Sequence, residues 1–171
     1  KILLEDEIFY SPVSGVNPLV SVCIPAHNEE ENIDQLIQSL LAQADENVTI
    51  DEILVYCDGC TDDTIKKVKN QSIKDKRVKT IISPIRSGLS AGQNALLRSA
   101  SSDIILLLNS DIRIEDKFFV EKMAQKIALG LDIVSVKLTP LSPKTFFEKI
   151  LYKSTLFKEK TFESVNLGNN M

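Results

Sequence analysis

The feature that most constrains the fold is a regular alternation of short apolar runs with longer segments whose apolar residues recur at helical spacing. Strands are predicted over residues 19–25, 50–56, 78–82, 104–108 and 133–138. A helix is expected after each of the first four strands. Strands that alternate with helices of this length form βαβ units with right-handed crossovers. The sequence therefore predicts an α/β fold with a mostly parallel sheet and helices on both of its faces.

The four predicted helices have recognisable ends. Asn28 is expected to cap the first helix, because three glutamates follow it where the helix dipole favours acids. Ser90 is expected to cap the third helix. Asp116 is expected to cap the fourth, and Gly130 to end it.

The fourth apolar run, residues 104–108, carries no polar side chain and predicts a central strand covered on both faces. Asn109, Ser110 and Asp111 follow it directly. Asp111 would lie at the carboxyl end of the strand, where open α/β sheets bind ligands, and its oxygen atoms suit Mg²⁺ or Mn²⁺. The alternative is an aspartate that only makes a turn.

The strand-to-helix loops of a parallel sheet all lie at one edge, so four polar loops are expected to meet in one crevice. These loops read P-A-H-N-E, C-D-G-C, S-P-I-R-S-G and N-S-D. They contain the only histidine, His27, and two of the three cysteines. For His27 we weigh contact with a ligand in the crevice equally against a structural role.

Composition excludes several classes of function. The net charge of −4 gives no overall basic field, so no nucleic-acid partner is expected. Three cysteines are too few, and of the wrong parity, for a disulfide framework, which indicates a reducing compartment. No apolar run reaches the roughly 18 residues of a membrane span. Seven basic residues cluster in the second helix and the connection after it, where a solvated face is favoured over an anion-binding surface.

Four motifs, taken together, resemble the donor-binding half of a family-two glycosyltransferase, the inverting, nucleotide-sugar-dependent group with the GT-A, Rossmann-like fold. They are V-S-V-C-I-P-A-H-N-E-E, D-E-I-L-V-Y-C-D-G-C-T-D-D-T, R-S-G-L-S-A-G-Q-N and L-L-L-N-S-D. The combination is specific, although each motif alone is weak. The resemblance covers roughly residues 20–111.

The resemblance implies a hexosyltransferase-type enzyme with a nucleoside-diphosphate sugar as donor, most simply a UDP-sugar, and a saccharide or lipid-linked acceptor. It implies Mg²⁺ or Mn²⁺ as cofactor, with Asp111 as metal ligand and Asp58 in contact with the base. The implied nucleotide-sugar residues are Pro25, His27, Asn28, Glu29, Asp58, Arg86, Gly88, Asn94 and Asn109.

The domain organisation is read from the residue pattern together with this resemblance. Residues 1–18 are a lead-in segment, residues 19–138 are the nucleotide-sugar-binding α/β domain, and residues 139–171 begin an acceptor-side region that is expected to be incomplete. An amphipathic helix is predicted within that last region, and contact with a membrane surface is the alternative to packing. We expect a cytoplasmic location, either free or at the cytoplasmic face of a membrane as part of a longer protein.

The sequence departs from the family pattern at three points. Asn109 replaces the first carboxylate of the metal motif, and Cys57 replaces the first aspartate of the second motif. The catalytic base is expected after Met171.

Two other functions remain open. A GT-A-like module that binds nucleotide without chemistry would suit Asn109. Cys57 and Cys60 form a C-x-x-C at a strand-to-helix turn, where a helix N-terminus would lower a thiol pKa for redox work.

Overall fold

The structure is a computed structural model that describes residues 17–44, 46–128 and 130–136. In this part of the chain four strands alternate with four helices. Their bounds are β1 Leu19–Ala26, α1 Ile33–Leu41, β2 Thr49–Asp58, α2 Thr64–Lys74, β3 Val78–Ser83, α3 Leu89–Ser99, β4 Ile104–Leu107 and α4 Phe119–Ala128.

The four strands form one parallel sheet in the order β3-β2-β1-β4. Helices cover both faces, because α1, α2 and α4 contribute buried residues to one apolar cluster and α3 contributes Leu96 to another. The predicted α/β class, with its parallel sheet and two helical layers, is confirmed.

The core lies between the central strands β1 and β2 and the layer formed by α1, α2 and α4. Alternate residues of β1 and β2 point to opposite faces, as strand geometry requires, so Val22 and Val55 join the larger cluster while Cys23 and Leu54 join the smaller one. All four side chains are buried because β1 and β2 have a strand on each side and helices on each face. These strands set the rigid frame for the loops at their carboxyl ends.

The prediction of a central, fully covered strand at residues 104–108 is wrong for the described chain. Strand β4 pairs only with β1 there and forms an edge of the sheet. Its burial alternates: Ile105 and Leu107 are about 40% exposed on one face, while Ile104 and Leu106 pack against the larger cluster. An unbroken apolar run does not distinguish a central strand from an edge strand.

The predicted fifth strand is also corrected. Residues 133–136 adopt no strand conformation, and Ile133 is 86% exposed; residues 137–138 lie outside the described chain. The lead-in segment up to residue 16 and the predicted helix within residues 139–171 lie outside it as well. The proposed domain boundaries therefore stay predictions.

Two predicted helix starts move. Helix α1 begins at Ile33, after a turn, and Asn28 does not cap it because its φ of 54° is left-handed and its side chain bonds to Thr61. Helix α3 begins at Leu89, with Gly88 rather than Ser90 at the cap position.

The ends of α4 follow the prediction. The Asp116 carboxylate accepts the Phe118 N–H at 2.9 Å just before the helix, and Gly130, with a φ of 89°, follows its end. Among the described residues, no helix combines the length and apolar content that crossing a bilayer requires.

Candidate functional site

A polar crevice of about 320 Å³ lies where the carboxyl ends of β1, β2 and β4 meet the loop before α3. This position is the one at which open α/β sheets bind ligands. The volume lies at the small end of the range for ligand pockets. Its lining residues are Pro25, Ala26, His27, Glu29, Asp58, Arg86, Gly88, Leu89, Gly92, Asn109, Ser110 and Asp111.

Eight of the ten predicted site residues line this crevice, and two do not. Asn28 is exposed on the loop after β1 and does not line it. Asn94 is exposed on α3 and also lies outside the lining. The convergence of the other eight follows from the topology, because each one lies near the carboxyl end of a strand or in the loop that follows it.

His27 joins the first two loops. Its Nδ1 atom lies 2.6 Å from the Asp58 carbonyl oxygen. A carbonyl can only accept, so Nδ1 carries the proton and donates it. This bond leaves Nε2 as the ring nitrogen available to a ligand.

Asn28 ties the same two loops together outside the crevice. Its side-chain oxygen accepts the Thr61 backbone N–H at 2.8 Å. Nearby, the Glu29 N–H donates to the Thr64 hydroxyl at 2.8 Å, and the Glu30 N–H donates to Asp62 at 3.1 Å. The left-handed backbone of Asn28 suits this arrangement, since asparagine tolerates that region better than most residues. Asn28 therefore stabilises the loops after β1 and β2 without lining the crevice.

Asp58 ends β2 and is almost fully buried, at 6% exposed. One carboxylate oxygen accepts the Ser87 backbone N–H at 2.7 Å, and the other accepts the Gly88 N–H at 2.8 Å. Asp58 thereby holds the loop between β3 and α3, which places Arg86 and Gly88 in the lining.

The end of β4 supplies the last part of the lining. Asn109 and Asp111 are exposed, and Ser110 between them is buried. Within the described chain, no group of three or more histidine, cysteine, aspartate or glutamate side chains is arranged to hold a metal ion. In the crevice lining, Asp111 offers a carboxylate and Asn109 an amide oxygen. An incomplete set of this kind suits Mg²⁺ only when phosphate oxygens supply further ligands.

Sequence reasoning missed Gly92, which lines the crevice from within α3. A β-carbon at this position would lie 2.9 Å from the Tyr56 ring and 3.6 Å from the Pro25 β-carbon. The signal was available, because a glycine inside a helical pattern often marks a close approach. The other missed lining residues are Ala26, Leu89 and Ser110.

A second cavity, of about 270 Å³, lies between β4 and α4. Its lining is apolar except for Asp132, and it does not include the loops at the carboxyl ends of the other strands. The polar crevice is therefore the better candidate site for a charged ligand.

The Cys57 thiol of the C-x-x-C pair lacks the lowered pKa of a redox cysteine. Burial, followed by the neighbouring Cys60 thiol, raises the pKa of the Cys57 thiol to about 12. Redox work requires a lowered thiol pKa. Helix α2 begins only at Thr64, so its N-terminus does not act on the pair as the sequence suggested. All three cysteines are free thiols.

Four of the seven residues of the basic cluster pair with acids. Lys66 pairs with Asp63, Lys67 with Asp34, Arg77 with Asp75 and Lys79 with Glu52, at 2.7 to 4.0 Å. Pairs of this kind fit the solvated face that the sequence favoured.

Comparison with known proteins adds to this geometry. The family model described as "Glycosyl transferase family 2" matches residues 21–169. An uncharacterized glycosyltransferase of Haemophilus influenzae is 38% identical over 94 residues, which are 55% of this chain and 36% of that protein.

Two further relatives have more specific names. The Escherichia coli UDP-Glc:alpha-D-GlcNAc-diphosphoundecaprenol beta-1,3-glucosyltransferase WfgD is 33% identical over 66% of this chain and 41% of its own length. The crystal structure of Mycobacterium tuberculosis glucosyl-3-phosphoglycerate synthase with Mn²⁺, UDP and phosphoglyceric acid is 26% identical, with a TM-score of 0.53, over 64% of this chain and 39% of that one. The chain thus spans about two fifths or less of the lengths of these three proteins.

Proposed function

This chain belongs to glycosyl transferase family 2, as its motifs indicated, and from that premise we propose that it binds the donor of a glycosyl transfer reaction. The proposed donor is a nucleoside-diphosphate sugar, with UDP as the nucleotide. The sugar passes to a saccharide or lipid-linked acceptor with inversion. The observation that carries the proposal is the convergence of eight predicted site residues on one polar crevice at the carboxyl edge of the sheet.

The crevice offers groups suited to each part of such a donor. Arg86 supplies a fixed positive charge for the diphosphate, and His27 supplies a ring nitrogen for the phosphates or a ring face for the base. Gly88, whose β-carbon position is open, allows the ligand to approach the backbone closely. Pro25, Glu29, Asp58 and Asn109 complete the proposed donor-binding set; Asn28 contributes through the loop behind the crevice, and a direct contact from Asn94 stays a prediction.

A divalent cation is part of the proposal. Asp111, assisted by the Asn109 amide oxygen, would hold Mg²⁺ or Mn²⁺ together with oxygens of the diphosphate. Bound there, the cation would stabilise the charge that develops on the diphosphate leaving group. The solved mycobacterial relative contains both Mn²⁺ and UDP, which supports this choice of ligands.

The acceptor and the location are proposed more broadly. The name of the Escherichia coli relative includes a lipid-linked sugar diphosphate, which supports the lipid-linked class of acceptor. Three free thiols support a cytoplasmic location, at the membrane face if the acceptor is a lipid. No catalytic base is assigned among the described residues.

Calorimetry with UDP tests the central claim. We expect the chain to bind UDP more tightly with Mn²⁺ or Mg²⁺ than without, and Asp111→Ala to abolish that difference. Asp103→Asn, a surface acid at the other end of β4, is the control and should keep it. Equal binding with and without metal in both the unchanged chain and Asp111→Ala would refute the metal role, and no binding at all would refute the donor site.

A binding module without chemistry is the second candidate. It is favoured by Asn109, which stands where the family pattern has a carboxylate and so leaves one fewer negative charge for a metal. Incubating the complete protein with UDP-sugars, metal and acceptor distinguishes an enzyme from a binding module. Release of UDP supports the enzyme, whereas tight binding without turnover in the complete protein supports the module.

A further inference from the structure

Three hydrogen bonds from two other loops converge on Asp58. Its backbone carbonyl accepts from His27 at 2.6 Å, and its two carboxylate oxygens accept the Ser87 and Gly88 N–H groups at 2.7 and 2.8 Å. All three partners lie in or beside the crevice lining, on the loops after β1 and β3. A single residue at the end of the central strand β2 therefore connects three of the four loops.

Gly59, the next residue, tightens the same connection. Its N–H donates to the Ser83 carbonyl at 3.0 Å. A β-carbon on Gly59 would lie only 2.5 Å from the backbone nitrogen of Arg86, so the two loops touch backbone to backbone. With a φ of 59°, this position also favours glycine conformationally. The contact fixes where the Arg86 backbone lies relative to β2.

These contacts bear on what the Asp58 carboxylate does. The family resemblance assigns Asp58 to the nucleotide base. In the structure each carboxylate oxygen already accepts a charge-assisted bond from the backbone of the loop that carries Arg86. Both bonds act on the shape of the crevice, and neither depends on which base occupies it.

We propose that Asp58 is a positioning residue, which holds the Ser87–Gly88 backbone and thereby sets Arg86 for the diphosphate, so that its contribution to donor binding is independent of the base. The ligand-binding part of this inference rests on the proposed function. The hydrogen bonding of the loop is independent of it.

Inorganic pyrophosphate with Mg²⁺ is the probe that isolates the effect, because it lacks a base. In Asp58→Asn, the amide group keeps the size of the carboxylate but offers one accepting oxygen instead of two. We expect the variant to bind both magnesium pyrophosphate and UDP about tenfold more weakly than the unchanged chain does. The ratio of the variant's Kd to that of the unchanged chain should be the same for the two ligands within a factor of about three. Titration calorimetry or competition measures both.

Simple electrostatics predicts the opposite sign, since removing a negative charge from an anion site should strengthen pyrophosphate binding. A direct contact with the base predicts a loss for UDP alone. Unchanged or tighter pyrophosphate binding, together with weaker UDP binding, would overturn the inference and leave the proposed function standing. Asp63→Asn is the matched control, because it makes the same charge change on the same loop at an exposed carboxylate paired only with Lys66 among the described residues.

Amide hydrogen exchange tests the loop without ligand, first in the unchanged chain and then in the variant. In the unchanged chain, the Ser87 and Gly88 N–H groups should exchange at least tenfold more slowly than unstructured amides, although Ser87 is exposed. Asp58→Asn should remove that protection while β1 and β2 amides remain protected. Unprotected amides in the unchanged chain would refute the positioning role, whether or not UDP binds.

Discussion

Strand β2 carries a buried carboxylate near each end, Glu52 at the amino end and Asp58 at the carboxyl end, with exposed fractions of 1% and 6%. Glu52 accepts four bonds: from the Ser21 hydroxyl, the Ser101 N–H and hydroxyl, and the Lys79 ammonium, at 2.7 to 2.8 Å. The Asp58 carboxylate accepts two bonds from backbone N–H groups.

The two environments differ in how much of the carboxylate's hydrogen-bonding capacity the protein uses. Around Glu52 the protein supplies a cation and three further donors, so the charge is satisfied internally, and we call this amino end of β2 the closed end. Around Asp58 each oxygen accepts one bond and keeps capacity for another, and the residue lines a crevice. We call this carboxyl end of β2 the open end. The comparison indicates that one end of β2 stabilises the fold while the other shapes the crevice that is proposed to bind the donor.

The largest expected effect is at the closed end. Glu52→Gln removes the charge that Lys79 and the Ser101 N–H bind, and we expect it to lower the free energy of unfolding by about 3 to 4 kcal/mol. Urea unfolding measures this loss. Asp51→Asn, at the exposed neighbouring acid, is the control and should cost less than about 1 kcal/mol. UDP affinity should stay within twofold, and a large loss of affinity in a folded Glu52→Gln chain would break the division between the two ends.

The second expected effect is a pH dependence of stability. Burial alone raises the pKa of Glu52, but the bonds from Lys79, Ser101 and Ser21 outweigh it and lower the pKa to about 2, from an ordinary value of 4.5. The unfolded chain therefore binds the proton more readily. The stabilisation from this carboxylate is present above pH 4.5 and is lost as the pH falls toward 2, by about 3 kcal/mol in total.

Other acids also have lowered pKa values, among them Asp62, Asp75 and Asp116, so the comparison must be made as a difference. The stability of the unchanged chain minus that of Glu52→Gln, followed by urea unfolding between pH 2 and 6, should shrink with acid. A difference that stays constant over this range would show that Glu52 keeps an ordinary pKa.

The two ends also differ in how far the sequence predicts them. The crevice was predictable because the topology of a parallel sheet brings the strand-to-helix loops to one edge. The predicted crevice therefore already contained His27, Asp58 and Asp111. The hydrogen bonds of Asp58 were not, because they depend on the conformation of the loop about 30 residues later. Glu52 gave no signal at all, since its partners Ser21 and Ser101 lie 31 and 49 residues away.

Strand order was the other limit. The apolar runs located β1 to β4 within a few residues, because β-branched and aliphatic residues favour buried strands. An apolar run records burial but not neighbours. Strand β4 was therefore predicted to be central, whereas it lies at the edge of the described sheet with Ile105 and Leu107 partly exposed.

The smallest expected effect is at the open end, in Gly92→Ala. Alanine gains helix propensity there, but its β-carbon would lie 2.9 Å from the buried Tyr56 ring, and relieving that contact requires α3 or the ring to move. We expect a net loss of about 1 kcal/mol in unfolding free energy and a severalfold loss of UDP affinity, because Gly92 and Pro25 both line the crevice. Ser90→Ala, on an exposed position of the same helix, is the control and should leave affinity unchanged. A lower free energy of unfolding with unchanged UDP affinity would show that the Gly92 contact only stabilises the fold, as Glu52 does. The binding role would then be restricted to the loops.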